Sequence, residues 1–487
     1  MIAARALTPL LAALVLAGCA NAPVSPDAQL SVPTAFKEAG TPLTPPKGWK
    51  LAEPAEDQAR GDWWRGFQDA TLDSLQQQAQ AASPTLAAAA ARVQAARAAL
   101  RGSQADQLPQ LNLSAGATRS KPAAAEQGLA TGTNVSPATV WRAGLGASYE
   151  IDLFRRVANS VNAAQLDAAA TEASYRSVLL ALQADVAQTY FQLRTLDAEV
   201  AVLEQGLSLR EQTLQLSRKR LSAGDVSELD VARAQTDLSS TRAELQGLRG
   251  TRARTEHGLA LLLGQAPASF KLPAQPLAVD ASVPLVPPGL PSALLERRPD
   301  VVAAQAQMQA ASARVGQAKS ALFPALVLTA NGGFASYELR DLFEWTTRSW
   351  LSSAVLSLPL FDGGRNRASI SRAEAQLAES VASYQQSVLQ AFGDVEDKLS
   401  TLASVREQTA SLDDALVAAR RSAELADKRY RAGEDSFLTL LDAQRSLLAV
   451  ERQALQLRGA WATSTVGLIR SLGGGWAEPA KVAQAAP

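Results

Sequence analysis

The chain says the same thing twice over a great length, and that repeat constrains its fold more than any single motif. Pro84–Leu113 aligns without a gap on Pro299–Leu328, setting Pro84 on Pro299, Pro109 on Pro324, Leu111 on Leu326 and Leu113 on Leu328. Further on, SYRSVLLALQADV from Ser174 matches SYQQSVLQAFGDV from Ser383, and KRLSAGDVSELDVARAQTDL from Lys219 matches KRYRAGEDSFLTLLDAQRSL from Lys428. A period of about 210 residues met twice means two copies of one large unit, since solenoids repeat every 20–50 residues. What one unit builds is therefore the question.

Proline placement supplies most of the answer. Seven prolines fall between Pro23 and Pro54, which reads as an extended tether. None occurs between Pro137 and Pro267 or between Pro359 and Pro479. An interior proline costs a helix about 3 kcal/mol, so these are the spans where very long helices can form. Arg155–Leu221 carries one uninterrupted pattern, with Val178, Leu182, Val186, Tyr190, Leu193, Leu196, Val200, Leu203, Leu207 and Leu214 recurring at helical spacing. At about 1.5 Å per residue the predicted helix is roughly 100 Å long, and Asn366–Tyr430 is its counterpart. Both end at Ala-Gly, and Ser227 and Ser436 follow where a returning helix needs an N-cap. Each half thus predicts a long helical hairpin.

Between the helices the period changes to two. Leu111, Leu113, Ala115 and Ala117 alternate with polar residues, as do Trp141, Ala143, Leu145, Ala147, Tyr149, Ile151 and Leu153. The second half offers Leu326, Leu328, Ala330 and Gly332, then Ala354, Leu356, Leu358 and Leu360 after Trp350. Apolar residues on one face and polar ones on the other are the signature of membrane-barrel strands, with a half-buried hairpin of a soluble sheet as the alternative. Four strands cannot close a barrel, whose smallest members have about eight, so several copies must contribute. The count alone leaves eight, twelve or sixteen strands open.

The start of the chain reads as an export signal. Arg5 precedes the apolar run Leu7–Ala17, too short to span a bilayer, and Leu16-Ala17-Gly18-Cys19 follows. Cys19 is the one cysteine of the chain, which resembles the acylated position of a bacterial lipoprotein, and Ala20 is compatible with outer-membrane sorting. The expected organisation is a signal over 1–18, a proline-rich tether over 19–60, a first repeat over 61–266, a linker over 267–290, a second repeat over 291–473 and a tail over 474–487. The 47 basic and 47 acidic residues balance, so nothing points to nucleic acid. One cysteine and one histidine give no metal cluster of the usual spacings, and no phosphate loop or catalytic constellation is visible. No cofactor and no enzymatic activity are expected. His257 reads as a helix-end residue, and Arg298 and Asp300 as flanks of a helix that starts at Pro299.

Four segments together resemble the TolC-like outer membrane factors, in the lipoprotein branch called NodT-type. They are WWRGFQDATLDSL from Trp63, LLERRPDVVAAQAQMQAASARVGQAKSALFPAL from Leu294, LPLFDGGRNRA from Leu358 and KRYRAGEDSFLTLLDAQRSL from Lys428. The resemblance implies a mainly α fold with a transmembrane β portion. Long helical hairpins would form a periplasmic α-barrel, and four strands per chain would contribute to a trimeric, twelve-stranded barrel. It implies a homotrimer in the outer membrane that works with a periplasmic adaptor and an inner-membrane transporter as the exit duct of an efflux system. Two alternatives stay open: a duct for secreted polypeptides, and a periplasmic coiled-coil scaffold without a pore. One departure is visible, because half one reads YEIDLFRRV where half two reads LPLFDGGRN, so the strand-to-helix corner of half one is expected to bend less sharply.

Leu438 and Asp442 lie four residues apart, on one face of the helix that returns from Gly433. Around a threefold axis, carboxylates about 6 Å apart repel by roughly 0.7 kcal/mol per pair even in water. Such a ring favours cations. The resemblance places these positions at the periplasmic mouth, so Leu438 and Asp442 are expected to form the gate. Arg233, which matches Asp442 in half one, is a candidate latch for it. Gly224, Tyr430 and Gly433, at the two helix tips, are the expected adaptor contacts.

Overall fold

The computed structural model describes residues 32–40, 51–52, 62–277, 283–284, 286 and 297–474. Cys19, the signal, most of the tether and nearly all of the tail lie outside the described residues. The principal elements are α1 (Ala70–Ala82), α2 (Pro84–Ala105), β1 (Gln110–Ser120), β2 (Ala138–Ile151), α3 (Arg156–Ser222) and α4 (Glu228–Leu262). The second half follows with α5 (Pro299–Ser320), β3 (Ala325–Ser336), β4 (Arg348–Ser357), α6 (Arg365–Ala432) and α7 (Phe437–Ser471). The duplication is visible in helix lengths. α2 and α5 have 22 residues each, α4 and α7 have 35 each, and α3 and α6 have 67 and 68.

The chain divides into two compact units. One comprises Arg92–Glu172 and Ala303–Gln385 and holds the four long strands. They form a single antiparallel sheet in the order β1-β2-β3-β4, so β1 and β4 are free edges. Its register collects the expected apolar residues on one face. Leu111 lies opposite Ala147, which lies opposite Ala330; Leu113 lies opposite Leu145, Leu145 opposite Gly332, and Gly332 opposite Trp350. The other face carries Ser114, Gly144, Gly333 and Ser349 in one row, although β4 also places Leu351 and Val355 there. β4 ends at Ser357, three residues before the expected Leu360. Pro359 has no N–H to give a ladder.

The strand-to-helix corner of half one has one left-handed residue where half two has two, Gly363 and Gly364. Arg155 has φ 60°, the left-handed conformation that Gly364 takes with φ 89° at the matching position before α6. Half one therefore turns without a glycine. Asp152 supports the turn by accepting hydrogen bonds from the N–H groups of Val157 (3.1 Å) and Ala158 (2.7 Å).

The other unit comprises the described parts of Leu30–Ala91, Ala173–Val302 and Gln386–Pro487. The helical stripe read from the sequence is its core: Leu182, Val186, Tyr190, Leu193, Leu196, Leu203 and Leu214 are all buried. Trp64, Phe67, Leu72 and Leu75 pack on that stripe together with Val395, Leu399, Leu402, Trp461 and Val466. Asp69 explains the spacing of the WWRGFQDATLDSL segment. Its carboxylate caps α1 through Thr71 and Leu72 and accepts a 2.6 Å hydrogen bond from the Tyr190 hydroxyl. Burial, reinforced by that bond, pushes the Tyr190 phenol up to about 12. Among the described residues no helix is long and apolar enough to cross a membrane.

Candidate functional site

The helix tips of this second unit hold the expected gate and adaptor residues. α3 closes with Gly224 at φ 82° and α6 with Gly433 at φ 80°. In each tip a 6→1 hydrogen bond seals the helix end, from the N–H of Asp225 to the carbonyl of Arg220 and from that of Glu434 to Arg429, both 2.9 Å. Ser227 and Ser436 then cap α4 and α7. Ser227 forms a reciprocal capping box with Asp230, whereas Ser436 accepts from the N–H of Thr439.

Beyond the caps the two tips differ. Tyr430 is 2% exposed, with its ring edge-on to Phe437 at 5.8 Å and its hydroxyl 3.2 Å from Ser217. Leu214, Ala234, Leu238, Leu440 and Leu441 complete this small core. Tyr430, expected as an adaptor contact, is thus an internal packing residue: its ring fills the space between α3 and α6. Arg220 lies over the Tyr430 ring at 4.7 Å and donates to the carbonyls of Tyr430 and Arg431, each at 2.9 Å. Gly224 and Gly433 are exposed.

Leu438 and Asp442 occupy one face of the first turns of α7, Leu438 45% exposed and Asp442 also exposed. Among the described residues the Asp442 carboxylate makes no hydrogen bond or ion pair within the chain. Arg233 sits on α4, its guanidinium 3.7 Å from Asp230 in its own helix. One chain therefore does not bring Arg233 and Asp442 together.

A deeper layer of charge escapes sequence reading. Asp237 is buried between two arginines, with Arg210 Nε donating at 2.6 Å and Arg445 Nε at 2.8 Å, and so ties α3, α4 and α7 one level behind the tips. Farther along α3, Asp197 accepts from Arg194 (3.2 Å), Arg252 (2.9 Å) and the N–H of Gln275 (3.0 Å). The Arg297-Arg298-Pro299-Asp300 motif is structural. Pro299 opens α5, and the Arg298 guanidinium bridges Asp300 (2.7 Å) and Asp394 (2.9 Å). His257 is exposed on α4.

A duplicated chain that pairs long helical hairpins with a four-stranded, open-edged sheet, apolar on one face, defines a subunit of a multi-chain membrane duct. The model of the outer membrane efflux protein family matches residues 75–265 and 290–474, and the chain belongs to that family. It is 34% identical over 418 residues to the outer membrane protein OprJ of Pseudomonas aeruginosa, covering 86% of this chain and 87% of that one. It is 32% identical over 473 residues to the cation efflux system protein CusC of Escherichia coli, covering 96% and 98%. The solved outer-membrane channel OprN superposes with a TM-score of 0.84 at 29% identity over 94% of this chain and 100% of that one. The outer membrane protein VceC of Vibrio cholerae gives 0.79 at 28% identity over 86% and 100%. The chain is an outer-membrane channel protein, as these relatives are.

Proposed function

We propose that this chain is the exit duct of a tripartite efflux system for small molecules, working as a homotrimer whose twelve strands close one barrel. The carrying observation is the sheet: β1 and β4 each leave their outer edge unpaired, and one face is mostly apolar. Lipid offers no hydrogen bonds to such edges, so neighbouring copies must supply them. The names of relatives favour small cargo over polypeptides, since they include cation, toluene and pyoverdine export proteins. Cys19 carries the lipid anchor in this reading. An inner-membrane transporter supplies the energy, and a periplasmic adaptor engages the tips around Gly224 and Gly433. The duct itself is passive and narrows at Leu438 and Asp442.

Purified protein should run as a detergent-extracted oligomer and conduct ions in planar bilayers. A water-soluble monomer that does neither would overturn the duct in favour of a scaffold. Asp442→Ala should raise single-channel conductance severalfold and admit large antibiotics into cells. Unchanged values would remove Asp442 from the gate.

A further inference from the structure

The mostly apolar face of the sheet ends in positive charge, and at one end only. The four long strands contain three basic residues, Arg119, Arg142 and Arg348. Register puts Arg142 on the other face, opposite Gly116 and Ala335. Arg119 lies opposite Thr139, two residues beyond the pair of Ala117 with Trp141, and Arg348 lies opposite Phe334, two residues before Trp350. Both therefore share the face of Leu113, Leu145 and Trp350. Both stand where the strands meet the connections 121–137 and 337–347, away from the end where α3 and α6 begin. The single acidic residue of these strands, Glu150, is on the other face, opposite Val327.

Neither arginine is neutralised. Among the described residues Arg119 and Arg348 make no ion pair, whereas Arg340, in the same connection as Arg348, is held by Glu338 (2.7 Å) and Asp341 (3.4 Å). Arg348 is also set in place. Its guanidinium lies over the Trp345 ring at 3.7 Å. The loop that carries Trp345 is folded back by the Thr347 hydroxyl, 2.7 Å from the Leu342 carbonyl, and by the Thr347 N–H, which donates to Glu344 at 3.1 Å. Leu342 is buried, and the Phe343 ring meets Phe334 edge-on at 5.6 Å. Stacking occupies the flat face of the guanidinium and leaves its N–H edge open.

A face that lies against hydrocarbon tolerates a cation only near the interface. The run from Trp141 to Ile151 covers roughly 25 Å when strands tilt by about 45°, the height of a hydrocarbon band, so arginines at its end reach the headgroup layer. We propose that Arg348, seated on Trp345, binds a phosphate of lipid A, the phosphorylated and multiply acylated glycolipid of an outer leaflet. Arg119 is a second phosphate contact, on the opposite edge strand. This rests on the duct reading, which puts the helices in the periplasm and the two connections outside.

Charge and surface chemistry both favour that lipid. A guanidinium edge meets phosphate with two parallel N–H bonds. Along β4 from Arg348, Trp350 is 81% exposed, and Ala354 and Leu356 continue the same face, which gives acyl chains a surface to lie on. A free phosphate would have no use for that surface. The row at the helix end of the face, Ile151, Leu326 and Leu356, holds no cation, so the sheet offers phosphate a partner in one leaflet and not in the other.

The test adds lipid A to the full-length protein in detergent and follows the bound lipid by native mass spectrometry. Wild-type protein should retain lipid A, and lipid A stripped of its phosphates should bind about tenfold more weakly. Arg348→Ala should lower the affinity for intact lipid A about tenfold and Arg119→Ala by less. Arg142→Ala, which removes a cation from the other face, should leave it unchanged. Equal binding of the stripped lipid overturns the site, as does an equal loss from Arg142→Ala. So does full competition by inorganic phosphate, which would make this a site for the free anion. Conductance of the same preparations in planar bilayers separates the site from the duct. If a protein that conducts binds no lipid A, the site falls and the duct stands. If binding depends on phosphate and on Arg348 in a protein that forms no pore, the duct falls and the site stands.

Discussion

The two helix tips share a backbone and little else. Gly224 and Gly433 take the same left-handed conformation, the same 6→1 bond closes each helix, and a serine caps each returning helix. Yet Tyr430 and Phe437 fill tip two, where the matching positions of tip one are Leu221, 37% exposed, and Glu228. Support also runs one way. Arg220 of tip one holds two carbonyls of tip two, whereas its counterpart Arg429 lies 3.6 Å from Asp435 in its own tip. The comparison teaches that duplication preserved what the backbone requires and let the side chains specialise: tip two is anchored on its neighbour, and tip one is held mainly by its caps.

The largest break in this comparison should come from Tyr430→Ala. Removing a buried ring costs about 3–4 kcal/mol, against less than about 1 kcal/mol for Leu221→Ala at a partly exposed site. Hydrogen exchange over 426–441 should accelerate in the first variant and stay near wild type in the second. Equal responses would erase the distinction. Arg220→Ala should come next. It deletes two hydrogen bonds from a charged donor and a cation–π contact, for about 1.5–3 kcal/mol, while Arg429→Ala should be nearly silent because exposed ion pairs contribute about 0–1 kcal/mol. Protease nicking at each tip reads both.

The smallest effect is a pH dependence confined to tip two. The Ser436 N–H, with help from the Thr439 side chain, holds the Asp435 carboxyl below its ordinary value of 3.8. A depressed carboxylate stabilises the fold above the unfolded-state value, and that contribution disappears as pH falls through the lower folded-state value. Tip one has Val226 at the matching position. Acid should therefore loosen 426–441 in exchange measurements through this group, and Asp435→Asn should remove that component.

Much of the architecture was legible in the sequence because its signals are local. Missing prolines and a stripe at helical spacing announce α3 and α6, and alternation announces the strands. Two kinds of feature were not legible. Tyr430 looks like a surface residue beside a turn, because the partners that bury it, Ser217 and Arg220, stand 213 and 210 residues away. Asp237 likewise meets Arg210 and Arg445 from 27 and 208 residues away, so in sequence all three resemble solvated charges. The Arg155 corner was not legible for a different reason: nothing in the residue type announces a left-handed arginine, and the carboxylate that caps the following helix, Asp152, has its counterpart in Asp362 of half two. For the candidate gate, spacing fixed the shared face of Leu438 and Asp442. It could not say that Arg233 turns toward Asp230 within its own helix.

The two bare sheet edges carry a genetic consequence. A ring is only as sound as its poorest joint, because each defective member spoils contacts on a neighbour that is itself intact. An allele that places proline in the middle of β4 should therefore act dominantly. Mixed expression with the normal allele would poison most assemblies, and bacteria carrying both copies would lose channel activity out of proportion to the mutant's share.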